Sequence, residues 1–281
     1  MNDLTWTDTQ IRRLKELGVD LENLPACFST LAERNKIFQK IEKKQVKAGR
    51  EKLSDFLIQG GKSHIEKLKE TLCRILHQQG FIQVFTPTII TKAALAKMTI
   101  DEDHPLFHQV YWLTEKQCLR PMLAPNLYSL MVDFSRLNHR PIRFFEMGSC
   151  FRKESDGARH NHEFTMLNFV EMGLAKETRI DRLKELAAII AKAAGLNEFR
   201  FESEDSTVYG TTLDVVAGPE NIEVASGAMG PHPLDAAWGI TDTWTGMGFG
   251  IERLLMISQG DTSIGKWGKS LSYLDGIRLS I

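Results

Sequence analysis

The chain has 281 residues, 42% hydrophobic and 25% charged, with a formal net charge of −1, the composition of an ordinary globular protein of one or two domains. Apolar runs such as Ala187–Ala191 fall far short of the ~20 residues a membrane helix needs, and the opening MNDLTWTDTQ lacks the cationic start and apolar stretch of a signal peptide. Cys27, Cys73, Cys118 and Cys150 are 46, 45 and 32 residues apart, so no close-spaced metal or redox pair exists; membrane, disulfide-rich secreted, collagenous and disordered classes are excluded, and a cytoplasmic enzyme or binding protein is expected.

Three amphipathic helices are predicted first. Thr7-x-x-Gln10 is a capping box ahead of Ile11, Leu14 and Leu17, with Gly18 as the stop. Thr30-x-x-Glu33 opens a second helix with Ile37, Phe38 and Ile41 on one stripe. Gln59-Gly-Gly-Lys62 reads as a hinge, and Ser63-x-x-Glu66 caps a third helix carrying Ile65, Leu68, Leu72, Ile75 and Leu76 up to Gly80. The division expected is a helical extension over 1–60 and a second domain over 61–281.

At residue 81 the hydrophobic period changes from 3.6 to 2. Phe81–Pro87 reads as a strand closed by proline. A short helix near 91–98, a hairpin near 107–123 and a helix from Pro125 to about Leu137 follow. Strands near 141–153 and 164–172 flank a loop containing Asp156-Gly157. A helix after Thr178 buries Ile180, Leu183, Ala187 and Ile190 and stops at Gly195. The rest is strand-rich until Gly248-Phe-Gly-Ile-Glu-Arg253 opens a last helix. Strands mostly succeed one another without intervening helices, so the expected fold is α+β, with an antiparallel sheet flanked by helices.

Charge is unevenly spread. Residues 1–75 hold 15 Lys/Arg against 11 Asp/Glu, and residues 31–53 hold eight basic and three acidic side chains: Arg34, Lys36, Lys40, Lys43, Lys44, Lys47, Arg50 and Lys52 against Glu33, Glu42 and Glu51. Such a block either binds nucleic acid or is a solvated helix face.

Cys150-Phe-Arg-Lys-Glu154 and Glu163–Val170 carry the clearest chemistry. On a strand Arg152 and Glu154 share a face, setting a fork of donors beside an acceptor-only carboxylate. This suits a nucleotide whose phosphate meets Arg and whose base amine meets Glu; the same pair also reads as a cross-strand ion pair. Phe164, Met166, Asn168 and Val170 share a face on the return strand, where Phe164 can stack under a base. Gly246, Gly248 and Gly250 allow close backbone approach and run into a helix whose first turn carries Arg253, a place that favours an anion. The G-x-G-x-G spacing is not a dinucleotide fingerprint.

A helix and strand ending at Pro87, the R-x-E and Phe strands, and G-x-G-x-E-R leading a helix resemble, in this order, the three signature motifs of class II aminoacyl-tRNA synthetases. LRPMLAPNLY (119–128), FRKESDG (151–157), EFTMLNFVEMG (163–173), GFGIERLL (248–255) and SLSYLDG (270–276) are similar to the pyrrolysyl-tRNA synthetase family over nearly the whole chain. WTDTQIRRLKEL, TIITKAALAKMTIDEDHPLF and SGAMGPHPLD resemble its bacterial stand-alone catalytic subunits.

The resemblance implies ATP-dependent activation of L-pyrrolysine and its transfer to a cognate amber-suppressor tRNA, with ATP and Mg²⁺ required. Arg152 is then expected to hold the α-phosphate and the amino-acid carboxylate. Glu154 accepts from the adenine amine, Phe164 and Arg253 flank the ring, and Arg253 also reaches the γ-phosphate. His160 and Asn161 are loop contacts to ATP, although Asn161 replaces the leucine expected there. Glu223 and Ser226 occupy the Mg²⁺-holding positions. Three apart on a strand, they face oppositely unless a bulge, expected near Gly227, aligns them.

The implied amino-acid pocket is Ala124, Leu127, Tyr128, Met131, Val170, Trp244 and Gly246, with Asn168 and Tyr209 as polar anchors. Read from composition alone, the same apolar set is simply core. The resemblance also implies a homodimer built on the element ending at Pro87, and tRNA as partner. The tRNA-binding module of two-domain relatives is expected either from a separately encoded protein or from this chain's own basic block. A class II paralogue with another acceptor, or a non-catalytic RNA-binding paralogue, is the alternative reading.

Overall fold

The computed structural model describes residues 4–137, 139–153, 161–206 and 208–279. In chain order these form α1 (Asp8–Glu16), α2 (Leu31–Gln59), α3 (His64–Gln78), β1 (Ile82–Gln83), β2 (Ile89–Thr91), α4 (Lys92–Ala96), α5 (Pro105–Gln109), β3 (Gln117–Leu119) and α6 (Ala124–Phe134). Then follow β4 (Ile142–Phe151), β5 (Glu163–Met172), α7 (Arg179–Ala193), β6 (Phe199–Ser206), β7 (Gly210–Ala217), β8 (Ile222–Gly230), α8 (Asp235–Trp238), β9 (Trp244–Gly250), α9 (Ile251–Ser258), β10 (Tyr273–Leu274) and β11 (Ile277–Arg278). No helix among the described residues is long and apolar enough to cross a membrane.

The chain divides into two compact units, residues 1–63 with 270–281, and residues 64–269. In the first, the Thr7 hydroxyl accepts from the Gln10 N–H while the Gln10 side chain accepts from the Thr7 N–H, the reciprocal cap that starts α1. The Thr30 hydroxyl caps α2 by accepting the Glu33 N–H at 3.1 Å, without the reciprocal bond, and Gly60 ends the helix in the left-handed conformation (φ 59°) that a glycine adopts at least cost. Arg13 Nε donates to Glu42 at 2.8 Å, tying α1 to α2. Arg278 pairs with Glu16 at 3.6 Å within this unit, which takes in residues 270–281. Lys36, Lys40, Lys43, Lys44, Lys47, Arg50 and Lys52 are exposed on α2. Arg34 differs: it is half-buried and donates to the Thr5 carbonyl at 3.0 Å.

The second unit is built on a seven-stranded sheet in the order β1-β4-β5-β9-β8-β7-β6. It is mixed, not antiparallel throughout as expected. The chain passes through α4, α5 and α6 between β1 and β4 and returns in the same direction, so β1 pairs parallel with β4 at Ile82–Phe144. The hairpin expected near 107–123 is confined to 111–119, where Trp112 bridges Cys118 antiparallel, the Leu119 N–H donates to the Tyr111 carbonyl and the Leu113 N–H to the Gln117 carbonyl, both at 2.9 Å. Pro105 at the first helical position and His104 as its cap turn 105–109 into α5, and β3 also pairs with β2 on its other side.

Strand alternation gives the sheet two unlike faces. One carries Phe145, Met147, Leu167, Phe169, Leu213, Val215, Met247 and Phe249, and α3, α7 and α9 cover it with Leu72, Leu76, Leu186, Ile190, Leu254 and their neighbours. The other carries Phe144, Val170, Ala228 and Trp244 near α6 and α8, with a polar row beside them.

Candidate active site

That polar row crosses six strands in register: Glu146, Asn168, Gly248, Ser226, Asp214 and Glu202 pair in succession from β4 to β6. From Asn168 onward it floors a cavity of about 650 Å³. A pocket of about 60 Å³ shares Ala124, Asn168, Tyr209, Ser226 and Gly248 with it. Gly246 and Gly248 keep the floor flat: a Cβ at Gly248 would stand 2.9 Å from both polar atoms of the Asn168 amide, and one at Gly246 2.9 Å from the Phe169 carbonyl.

Arg152, Asn161, Phe164, Glu223, Ser226 and Arg253 all line the larger cavity. Glu154 and His160 lie outside the described residues. Arg152 donates from Nε to the Pro121 carbonyl at 2.9 Å, and its guanidinium sits 5.3 Å from the centre of the Phe164 ring. Arg253 lies in the first turn of α9, after Gly250, and donates to the Glu223 carbonyl at 3.1 Å. Asn161 packs against Gly268, where a Cβ would meet its Nδ2 at 2.4 Å.

Glu223 and Ser226 reach one cavity through a bulge, but not at Gly227. Val215 pairs with Ala225 and Val216 with Glu223, which leaves Val224 as the extra residue. Val224 and Ala225 both pack into the helix-covered core, so the residues on either side of them turn to the cavity face. Glu223 remains open to the cavity, yet desolvation by its walls and the neighbouring Asp214 carboxylate push its pKa above the ordinary value, against the pull of Arg253 and Arg152.

All nine expected pocket residues, Ala124, Leu127, Tyr128, Met131, Asn168, Val170, Tyr209, Trp244 and Gly246, line the smaller pocket. Asn168 Oδ1 and Asp214 Oδ1 are buried with no hydrogen-bond partner among the described residues. A buried polar atom costs free energy until it is paired, so these atoms mark places where a ligand or ion completes the site.

Sequence reasoning missed three carboxylates. Asp214 is only 3% exposed and sits beside Ser226 on the floor, but within Leu-Asp-Val-Val it carries no motif. Glu202 and Glu204 line the cavity from β6. Glu252 was legible in G-x-G-x-E-R without a role; both its oxygens accept the Thr165 N–H, at 2.8 and 2.9 Å, which locks α9 to β5 one residue from Phe164. Burial raises its pKa, and the Thr165 bonds oppose the rise. A second unread network lies beneath Arg152. Buried Arg120 donates to Glu146 at 2.7 Å and to the Ser149 carbonyl at 2.8 Å, while Thr86 Oγ1 donates to Glu146 at 2.6 Å.

Residues 50–268 match the family model of the tRNA synthetases class II core domain (F). Two solved structures of pyrrolysyl-tRNA synthetase from Desulfitobacterium hafniense are similar to the chain. One is 52% identical with a TM-score of 0.91, covering 99% of both chains. The other is 50% identical with a TM-score of 0.89, covering 99% of this chain and 96% of that one. A lysine–tRNA ligase of Moorella thermoacetica is 31% identical over 121 residues; the chain spans only 22% of that relative's length. The chain belongs to the class II aminoacyl-tRNA synthetases and, within them, to the pyrrolysyl-tRNA synthetase family.

Proposed function

We propose that the chain is a pyrrolysine–tRNA ligase, which activates L-pyrrolysine with ATP and transfers it to its cognate tRNA. One observation carries this reading: a cavity holding two arginines meets a pocket of apolar walls at the polar side chains Asn168 and Tyr209. A triphosphate and a long amino acid laid in the two spaces place carboxylate and α-phosphorus at the junction. The carboxylate oxygen attacks the α-phosphorus, the α–β phosphoanhydride breaks, and pyrophosphate leaves. The chemistry needs no nucleophilic side chain, only positioning and neutralised charge.

Arg152 spans the α-phosphate and the carboxylate. Phe164 and Arg253 flank the adenine, with Arg253 at the γ-phosphate, while Glu154, His160 and Asn161 complete the nucleotide contacts. Glu223 and Ser226 hold Mg²⁺, and the unpaired Asp214 oxygen beside them fits a site that takes a cation. The ion supplies neutralising charge to the phosphates. Asn168 donates to the side-chain amide carbonyl of pyrrolysine, and Tyr209 meets the ring nitrogen. ATP–pyrophosphate exchange tests the whole: exchange dependent on added pyrrolysine is expected, and exchange driven by another amino acid, or none, overturns it.

Two partners follow. Ile82, Phe85 and Ile89 stand 56%, 80% and 49% exposed around Pro87, a short apolar strip suited to a second copy of the chain. Light scattering is expected to give a dimer mass, and a monomer at micromolar concentration counts against it. The exposed lysines of α2 suit a phosphate backbone. Replacing Lys43, Lys44 and Lys47 with Ala is expected to weaken aminoacylation, flatten its salt dependence by about one unit of slope per contact, and spare pyrophosphate exchange. Unchanged aminoacylation points instead to a separate tRNA-binding protein.

A further inference from the structure

The turn after β8, Gly230-Pro-His-Pro-Leu-Asp235, holds two walls of the smaller pocket. Asp235, 4% exposed, accepts the His232 N–H at 2.7 Å and the Trp244 indole N–H at 3.0 and 3.1 Å. His232 Nδ1 accepts the Leu234 N–H at 3.2 Å. An amide N–H can only donate, so Nδ1 carries no proton and the neutral ring keeps its hydrogen on Nε2. That nitrogen lies 2.6 Å from the Tyr209 carbonyl and donates to it. The two rings meet edge-on, with centroids 5.6 Å apart.

Tyr209 lies just before β7, outside the last strand pair, Ser206 with Gly210. A backbone position outside the strand ladder is fixed only by the bonds it makes elsewhere, and any freedom left to it must be given up when a ligand binds. We propose that His232 is a positioning residue of the amino-acid pocket: it holds the Tyr209 backbone so that the tyrosine side chain is already placed over the pocket when the amino acid enters. The inference rests on the reading of that pocket as the pyrrolysine site. His232 itself does not line either space.

Two amide substitutions separate the two ring nitrogens. In His232→Asn the amide reaches the Nδ1 position, so the bond from Leu234 survives and the bond to Tyr209 is lost. In His232→Gln the amide reaches Nε2, so the bond to Tyr209 is restored. In pyrophosphate exchange by the full chain, His232→Asn is expected to raise KM for pyrrolysine about three- to tenfold, the range of one net hydrogen bond. KM for ATP is expected within twofold of wild type, and His232→Gln should restore most of the loss. In a Tyr209→Phe background the Asn substitution should add less than twofold, as it should with an Nε-acyl-lysine whose ring lacks the nitrogen.

Equal behaviour of the Asn and Gln variants, a parallel rise in both KM values, or an undiminished effect in Tyr209→Phe overturns the inference while leaving the function intact. Wild-type protein without pyrrolysine-dependent exchange overturns both.

Discussion

The two faces of the central sheet are made from the same strands and often from adjacent residues, yet they do opposite work. On β5, Leu167 and Phe169 are fully buried against helices, while Asn168 between them floors the cavity with an unpaired oxygen. On β9, Met247 and Phe249 are core, and Gly246, Gly248 and Gly250 leave the other side bare. The covered face is packed with side-chain volume, whereas the open face is shaped by missing side chains and unmet hydrogen bonds. Stability and chemistry are therefore separable to a resolution of one residue, because alternation sends neighbours to opposite sides.

The largest effect should come from breaking the covered face. Phe249→Ala removes a fully buried ring and is expected to cost about 3–5 kcal/mol of stability, read as a lowered denaturation midpoint, with the rate per folded molecule within about threefold of wild type. Close behind come Arg152→Ala and Arg253→Ala, which should each lower amino-acid activation by about 10²–10³ through loss of preorganised charge. Their thermal transitions should stay near wild type. Activity within threefold would remove the arginine from its proposed role, and unfolding would erase the separation between the faces.

Asn168→Ala tests the open face more gently. Loss of the amide anchor and gain of volume should weaken pyrrolysine use about ten- to a hundredfold and admit bulky aromatic amino acids. Unchanged pyrrolysine activation would mean that Asn168 is not the anchor.

The smallest effect concerns Glu252, buried in the first turn of α9. Its raised pKa means that the folded state holds a proton the unfolded state releases. Its contribution is fully present below the ordinary carboxylate value and is lost as pH rises through the raised one. Glu252→Gln keeps an acceptor for the Thr165 N–H and removes the titration. A series of melting curves should show the wild type losing stability relative to the variant as pH rises across that window. Parallel curves would mean that the carboxyl titrates normally.

Local patterns in the sequence determined much of this protein. Thr7 and Thr30 cap helices through contacts three residues away, the 3.6 period of α3 and α7 marks their buried stripes, and period 2 places Phe164, Met166, Asn168 and Val170 on one face. On α7 the exception is Ile180, expected on the buried stripe but 40% exposed in the first turn, while Leu186 is buried in its place. These features depend on neighbours within a turn or a pleat, so one chain segment suffices to read them. The motif residues of both spaces were legible for another reason, the resemblance of short segments to a family.

Tertiary structure alone decided the rest. The bulge at Val224 depends on how β8 registers against β7, and nothing within residues 223–226 announces which position is left over. The parallel pairing of β1 depends on the return path through α4, α5 and α6, and the pairing of β3 with β2 on strands 26 or more residues apart. Asp214 and His232 gain their surroundings only across strands and turns, from Ser226 in one case and the Tyr209 carbonyl in the other. A side chain's periodicity states which way it points; what it meets there is settled by residues distant in the chain, and that meeting is where the chemistry lies.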